Sequence, residues 1–429
     1  MLLGLILAVQ GAVAPLQDSL PQITLSEALQ RAARLDPNYV SALGQIDNAV
    51  WGRRNAFAAF IVPAITLQAD AVHSNPPGFN FVTFQPQADA VTAQVTARYD
   101  LFTGGQKFAE LSRSGAALEG AKAGELRQRF QTAFDTESDY YAVLENKELE
   151  RVAQDRLRRA TESFAVARAR VASGAAVQTD SLNLLLERTR AQVALMIQQT
   201  QLRVARLQLG RRVGLPGPAD AAPLDSVLMP EPPLALADAI SQAAEQGPQY
   251  RVARANERAA RASYRARLGE YLPRAALTFN ALSFDNRFFP TLVDRTTLTL
   301  TVSYPLWNNG QRELALSQAR VTRDVARAIR QDMDRAVQVD VTAAYDTYVT
   351  ARATTEQARL AVTVARESFR VEQTRYSSGA STILDLLAAQ GNLALAEGQL
   401  VQAQYAARLA LAGLESILGR RLFIDKGTP

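Results

Sequence analysis

Two aspartates in this chain stand where acidic side chains act on ions. Asp180 follows the pair Ser173-Gly174, and Asp385 follows Ser378-Gly379 at the same interval. Each lies just past a tight turn, in the first turn of a helix. If copies of the chain surround a pore, each carboxylate recurs as a ring, and such a ring in a narrow passage attracts cations. A local reading stands beside this one: an aspartate in a first helical turn favours the positive end of the helix dipole. For Asp385 both readings stand together; for Asp180 the local one is favoured.

The chemistry excluded is broader. The chain has no cysteine, which removes disulfides, thiolate metal sites and a lipid-modified cysteine. A single histidine, His73, makes no cluster, and four methionines give no metal signature. No phosphate-binding glycine loop and no paired His-Glu spacing occur. No catalytic, cofactor-binding or metal site is expected, and the chain is not read as an enzyme. The net charge of +5 is spread along the sequence, so nucleic-acid binding has no support.

The turns themselves offer a second kind of site. Gly174 and Gly379 suit the backbone angles of a tight turn. Their neighbours Ser173, Ala175, Ser378 and Ala380 are small enough for another helix tip to pack closely. Arg168, Arg170, Arg370 and Arg375 crowd the same end, with Glu162, Glu367 and Glu372 at helical spacing, and read as ion pairs on a solvated face.

The elements that position these residues occur twice. Tyr99, Leu101, Phe102, Gly105-Gln106, Tyr140, Ser163-Phe164, Arg170 and Gly214 recur 205 positions later as Tyr304, Leu306, Trp307, Gly310-Gln311, Tyr345, Ser368-Phe369, Arg375 and Gly419. Leu25, Pro37 and Tyr39 likewise precede Leu236, Pro248 and Tyr250. Such a repeat means that each copy is one structural unit. The division is then 1–14, an apolar stretch read as a signal peptide or else a hydrophobic tail; 15–214, the first copy; 215–233, a Pro-rich linker; 234–419, the second copy; and 420–429, a short tail.

Each copy begins with two helices, the first over Leu25–Leu35 with Ser26 near its start. Two alternating stretches follow, near 64–72 and 91–101 in the first copy and near 275–283 and 297–306 in the second. Ile65, Leu67, Val91, Val95 and Tyr99 share apolar faces; Thr66, Gln68, Thr92, Gln94 and Thr96 share polar ones. About ten residues is the length of a tilted bilayer-crossing strand, although a half-exposed sheet on a soluble domain has the same pattern. The stretch between them, 73–89, and its counterpart with Phe288-Phe289 read as loops; Phe79, Phe81, Phe84, Phe288 and Phe289 form an aromatic rim or simply pack these loops.

The helices decide between the readings. From Gln106 to about Val171 there is no proline, and a helix of that length spans ~100 Å. It turns at Ser173-Gly174 and returns to about Leu209; a second hairpin covers 311–418. A hairpin this long does not fit a compact domain with a radius of gyration near ~22 Å. Four lipid-facing strands leave open edges, which hydrocarbon does not tolerate, so other copies must complete the sheet. Three copies provide twelve strands and room for water. The fold class expected is mainly α with membrane β: long hairpins forming a trimeric α-barrel tunnel, and four strands per chain in a twelve-stranded transmembrane barrel.

The duplicated order of elements resembles the outer-membrane efflux proteins of the TolC type. Four motifs carry the resemblance: Tyr99-Asp-Leu-Phe-x-Gly-Gly105-Gln, Tyr304-Pro-Leu-Trp-x-Asn-Gly310-Gln, Ser173-Gly174-x5-Asp180, and Arg375-Tyr-x-x-Gly379-x-x-x-Ile-Leu-Asp385-Leu-Leu. The resemblance spans about Leu25 to Gly419. It implies a homotrimeric duct in the outer membrane with its tunnel in the periplasm. A periplasmic adaptor would dock on Ser173, Gly174, Ala175, Ser378, Gly379 and Ala380, and an inner-membrane pump of RND or ABC type would drive export of drugs, toxic small molecules or secreted proteins. It also places Asp385 in the constricted entrance, where the family pattern has a second aspartate one turn later; here that position is Ala388. Two rival expectations are a coiled-coil scaffold without a channel and a periplasmic adaptor.

Overall fold

A computed structural model of the chain describes residues 20–80, 84–224, 230–285 and 293–423. The expected leader at 1–14, the loop residues Phe81, Phe288 and Phe289 and the end of the tail lie outside these residues.

The two copies have the same order of elements. The first contains β1 (Gln22–Ile23), α1 (Leu25–Leu35), α2 (Pro37–Ala58), β2 (Ala64–Asn80), β3 (Gln85–Phe102), α3 (Gln106–Ala172) and α4 (Gln178–Arg212). After β4 (Asp220–Ala221), the second contains α5 (Leu236–Gln246), α6 (Pro248–Leu268), β5 (Arg274–Asp285), β6 (Val293–Ser303), α7 (Gln311–Ser378) and α8 (Ile383–Leu418). Thr24, not Ser26, caps α1, its side chain accepting from the Glu27 amide. Asp36 caps α2 by accepting from the amides of Asn38 and Tyr39 at 2.9 Å. Pro37 is the first residue of α2, where its missing N–H costs nothing.

The sheet runs β2-β3-β5-β6, antiparallel throughout. Its rows follow the alternation. Thr66, Thr96, Asn280 and Thr297 lie abreast on one face, where Gln94 donates to Thr96 and Thr96 to Asn280. Ile65, Ala97, Phe279 and Leu298 lie abreast on the other. The stretch 73–89, expected as a loop, is largely strand. The β2–β3 pairing continues past a register shift between His73 and Gly78 to Asn80↔Gln85. Backbone pairing does not require alternating side chains, and the irregularity accommodates the prolines. At the other end β6 stops at Ser303, before Pro305, which has no N–H to donate.

Each strand continues into one helix, and the helices pack in the matching order α2-α3-α6-α7. Farther from the sheet the order becomes α4-α3-α8-α7, because α3 and α7 run the full length while α4 and α8 take the places of α2 and α6. The shorter helices meet end to end. Gly214, after α4, adjoins Leu35, and Gly419, after α8, adjoins Pro248 at the start of α6. The molecule is thus four strands abreast above four helical columns abreast. At ~1.5 Å per residue, α3 and α7 each span roughly 100 Å.

Around the middle, the parallel pair β1–β4 and helices α1 and α5 lie against this layer. Asp220 is clamped by Lys147 at 2.8 Å and Arg206 at 3.1 Å. The matched tyrosines serve the same end: Tyr140 donates to the carbonyl of Ala222 and Tyr345 to that of Leu234, each fastening the segment that joins the copies. Among the described residues, no helix is long and apolar enough to cross a membrane.

Candidate functional site: the paired hairpin tips

The two turns lie side by side because α3 packs on α8 between the hairpins. Gly174 and Gly379 both have positive φ, 75° and 81°, as the turn reading requires. The residues beneath them form a small core in which Ala167, Leu184, Phe369, Tyr376, Ile383 and Leu386 pack together. Buried Ser163 meets Gln390 above it.

The two aspartates differ in their surroundings. Asp385 belongs to a capping box. Its carboxylate accepts from the Thr382 hydroxyl at 2.7 Å, the Thr382 amide at 3.2 Å and Ser381 at 3.3 Å. These bonds, Thr382 foremost, lower its pKa from the ordinary aspartate value. The local reading of Asp385 therefore has its geometry, and the side chain remains exposed and ionised. Asp180 makes no capping bond to Val177, which has no polar side chain to offer; its carboxylate faces Tyr376 of the other hairpin. Among the described residues the Tyr376 hydroxyl has no partner at full hydrogen-bond geometry, yet Asp180 is near enough to act on it. Burial raises the phenol pKa and the Asp180 carboxylate raises it further.

Arg170 departs from the solvated-face expectation. It crosses to the second hairpin, donates to the carbonyl of Tyr376 and lies 4.8 Å from the centre of that ring. It also donates to Ala175 of its own turn at 3.1 Å. One guanidinium therefore ties both tips. Arg370 and Arg375 do pair along their helix, with Glu367 at 2.6 Å and Glu372 at 2.9 Å. Arg168 has no ion pair among the described residues. Ser173, Gly174, Ala175, Ser378, Gly379 and Ala380 are all exposed, at the extreme end of the molecule.

Further up the hairpins, Arg159 and Glu397 form a largely buried pair at 2.8 Å that joins α3 to α8. Arg421, just past α8, reaches both Glu137 and Glu415. Periodicity does not single out these residues, since Arg159 and Glu397, and Arg421 and Glu137, lie more than two hundred positions apart. Among the described residues, no group of three or more metal-ligating side chains converges.

Strands leading into very long helices, given twice and with an apolar sheet face, are the architecture of a channel protein. The outer membrane efflux protein model matches residues 29–214 and 239–420, one match per copy, and the chain belongs to that family. No protein of curated function matches the sequence. Among solved structures, the outer membrane protein VceC from Vibrio cholerae is similar at 17% identity and a TM-score of 0.77, covering 93% of this chain and 97% of that one. The Campylobacter jejuni CmeC outer membrane channel is similar at 12% identity and a TM-score of 0.80, with 92% and 85% covered. The open state of the Neisseria gonorrhoeae MtrE outer membrane channel shares 18% identity with a TM-score of 0.77, over 94% and 91%. At these identities the likeness is one of fold.

Proposed function

We propose that three copies of the chain close into a continuous duct that conducts small toxic molecules or drugs outward across the periplasm and outer membrane. The observation that carries this reading is the state of the layer's edges. Among the described residues, β2 and β6 have unpaired outer edges. The flanking helices below them carry exposed apolar residues at coiled-coil spacing: Leu182, Leu186, Val193, Ile197 and Val204 on α4, and Leu360, Val364 and Val371 on α7. Such seams favour further helices of the same kind. Twelve strands would enclose a wet lumen, lined by the Thr66–Thr96–Asn280–Thr297 row.

In this reading the tips face an inner-membrane pump of RND or ABC type through a periplasmic adaptor, the pump supplies energy, and the duct is passive. Asp385 and Asp180 would recur as rings at the periplasmic mouth, and Arg170 would hold the tips together there. The small residues Ala175 and Ala380 suit close packing by an adaptor hairpin. The test is the mass and shape of protein extracted from membranes in mild detergent, followed by planar-bilayer recording. A hollow trimer longer than ~100 Å that conducts ions supports the duct. A water-soluble monomer or dimer would overturn it in favour of a coiled-coil scaffold.

A further inference from the structure

We propose that Lys107, with the rings that surround it, seats the phosphate of an anionic phospholipid at the lower rim of the sheet's apolar face. The proposal rests on the outer-membrane reading above and names the lipid chemistry that this rim would take.

Tyr99 lies at the lower end of the apolar face, abreast of Leu277 and Leu300. Its hydroxyl donates to the carbonyl of Phe60, just beyond α2. The Phe60 ring meets Phe108 edge-on, with centroids 5.0 Å apart. Lys107 lies among these rings: its ammonium is 4.5 Å from the centre of Tyr99 and 5.8 Å from that of Phe60. It donates one bond, to the carbonyl of Asp100 at 2.6 Å, and an ammonium has three to give. Among the described residues no carboxylate pairs with it. Phe108 is exposed, and so are Phe57 and Arg53, which continue down α2 from Phe60 at helical spacing. Arg53 also lacks an acidic partner among the described residues.

The duplication supplies an internal comparison. Arg312, the counterpart of Lys107, donates to the carbonyl of Pro305, the counterpart of Asp100. It stacks on Tyr271 at 4.1 Å, where the first copy has Phe60. The second copy, however, supplies its own anion: Glu313 pairs with Arg312 at 3.3 Å. The position of Glu313 in the first copy is Phe108. One copy neutralises its rim cation; the other leaves the cation open and places an exposed phenyl beside it. An uncompensated ammonium below an apolar sheet and between exposed aromatic rings matches a phosphodiester whose acyl chains lie on that sheet. A free phosphate ion would use the ammonium but not the rings.

The test is native mass spectrometry of the detergent-extracted protein, titrated with phosphatidylglycerol and with phosphatidylcholine. One lysine–headgroup contact predicts retention of phosphatidylglycerol about fivefold tighter than phosphatidylcholine, at up to one extra lipid per chain. Lys107→Gln should abolish the preference, Lys107→Arg should keep it, and Arg312→Gln should leave it unchanged. Phe108→Glu, which restores the carboxylate of the second copy without removing Lys107, should abolish it too. Equal retention of the two lipids by the unaltered protein would overturn the proposal, as would a preference that survives both Lys107→Gln and Phe108→Glu. Displacement of the lipid by millimolar inorganic phosphate would also overturn it, because the site would then be a plain anion site. The same spectra report oligomeric state before lipid is added, so failure of the trimeric duct is read separately.

Discussion

Replacing Arg421 with alanine tests how the helical layer is held at mid-height. Arg421 reaches back to Glu137 of α3 at 2.5 Å and to Glu415 of α8 at 2.7 Å. Both carboxylates are 3% exposed. Glu415 keeps a second donor, the Leu422 amide at 2.7 Å, so the loss falls on Glu137, which has no other ion-pair partner among the described residues. Breaking a buried pair from one side costs about 3–5 kcal/mol. The Arg421 side chain is 39% exposed, and solvent access there reduces the expected loss to about 2–3 kcal/mol.

The pH dependence is equally specific. Burial raises the pKa of Glu137, and Arg421 draws it back down. An acid whose folded pKa exceeds its unfolded value contributes stability at low pH and loses it as pH rises through the folded value. Without Arg421 the folded pKa rises further. The deficit of the variant should therefore be greatest at pH 7.5 and shrink toward pH 5, by at most about 1.4 kcal/mol per pH unit for one proton. The assay is thermal melting of the helical circular-dichroism signal in detergent at both pH values. Adding Glu137→Gln to the variant should recover part of the loss at pH 7.5 and flatten the pH dependence. Equal melting of variant and parent at both pH values, or a deficit that grows on acidification, would refute the reasoning.

Three further outcomes follow from the same geometry. Gly104→Ala should abolish folding or lower the melting temperature severely, since a Cβ there would stand 2.1 Å from the carbonyl oxygen of Gly269. Gly105→Ala, with a similar positive φ but open space around it, should cost only about 1 kcal/mol; equal losses in melting temperature would contradict this. Asp385 is held below the ordinary aspartate pKa by Thr382, so a cation preference arising from its ring should persist unchanged in a planar bilayer from pH 7 to 5 and fall in Asp385→Ala. Loss of the preference already at pH 5.5, or its survival in the variant, would remove Asp385 from that role. Tryptophan at Ala175 or Ala380 should block export in cells while leaving bilayer conductance intact, and normal export would rule out tip-to-tip docking.

The features legible in the sequence are those encoded by neighbours along the chain. Alternation at 64–72 and 91–101 marked two strands because successive side chains point to opposite faces. The absence of proline from Gln106 to Val171 marked a helix of that length because nothing within it breaks the ladder of backbone bonds. Gly174 and Gly379 marked turns through their backbone freedom, and the recurrence of whole motifs made the fold legible as two copies of one unit. Asp180 and Asp385 were placed at the helix starts by the same local logic. The strand lengths were underestimated where pairing continued without a side-chain pattern, since the ladder binds backbone to backbone.

What only the tertiary structure decided is which distant residues meet. Arg170 looked like one more charge on a solvated helix until the second hairpin brought Tyr376 beneath it. Glu137 and Arg421 lie far apart in the chain and were not marked by any spacing. Lys107 sits among Phe60, Tyr99 and Phe108 because α2, β3 and α3 converge at the rim of the sheet. These contacts depend on the lateral order of the columns, α2-α3-α6-α7 giving way to α4-α3-α8-α7. Periodicity reports which face of a helix is apolar, but it is silent about which helix will cover that face, and partner choice is where the long-range contacts are made.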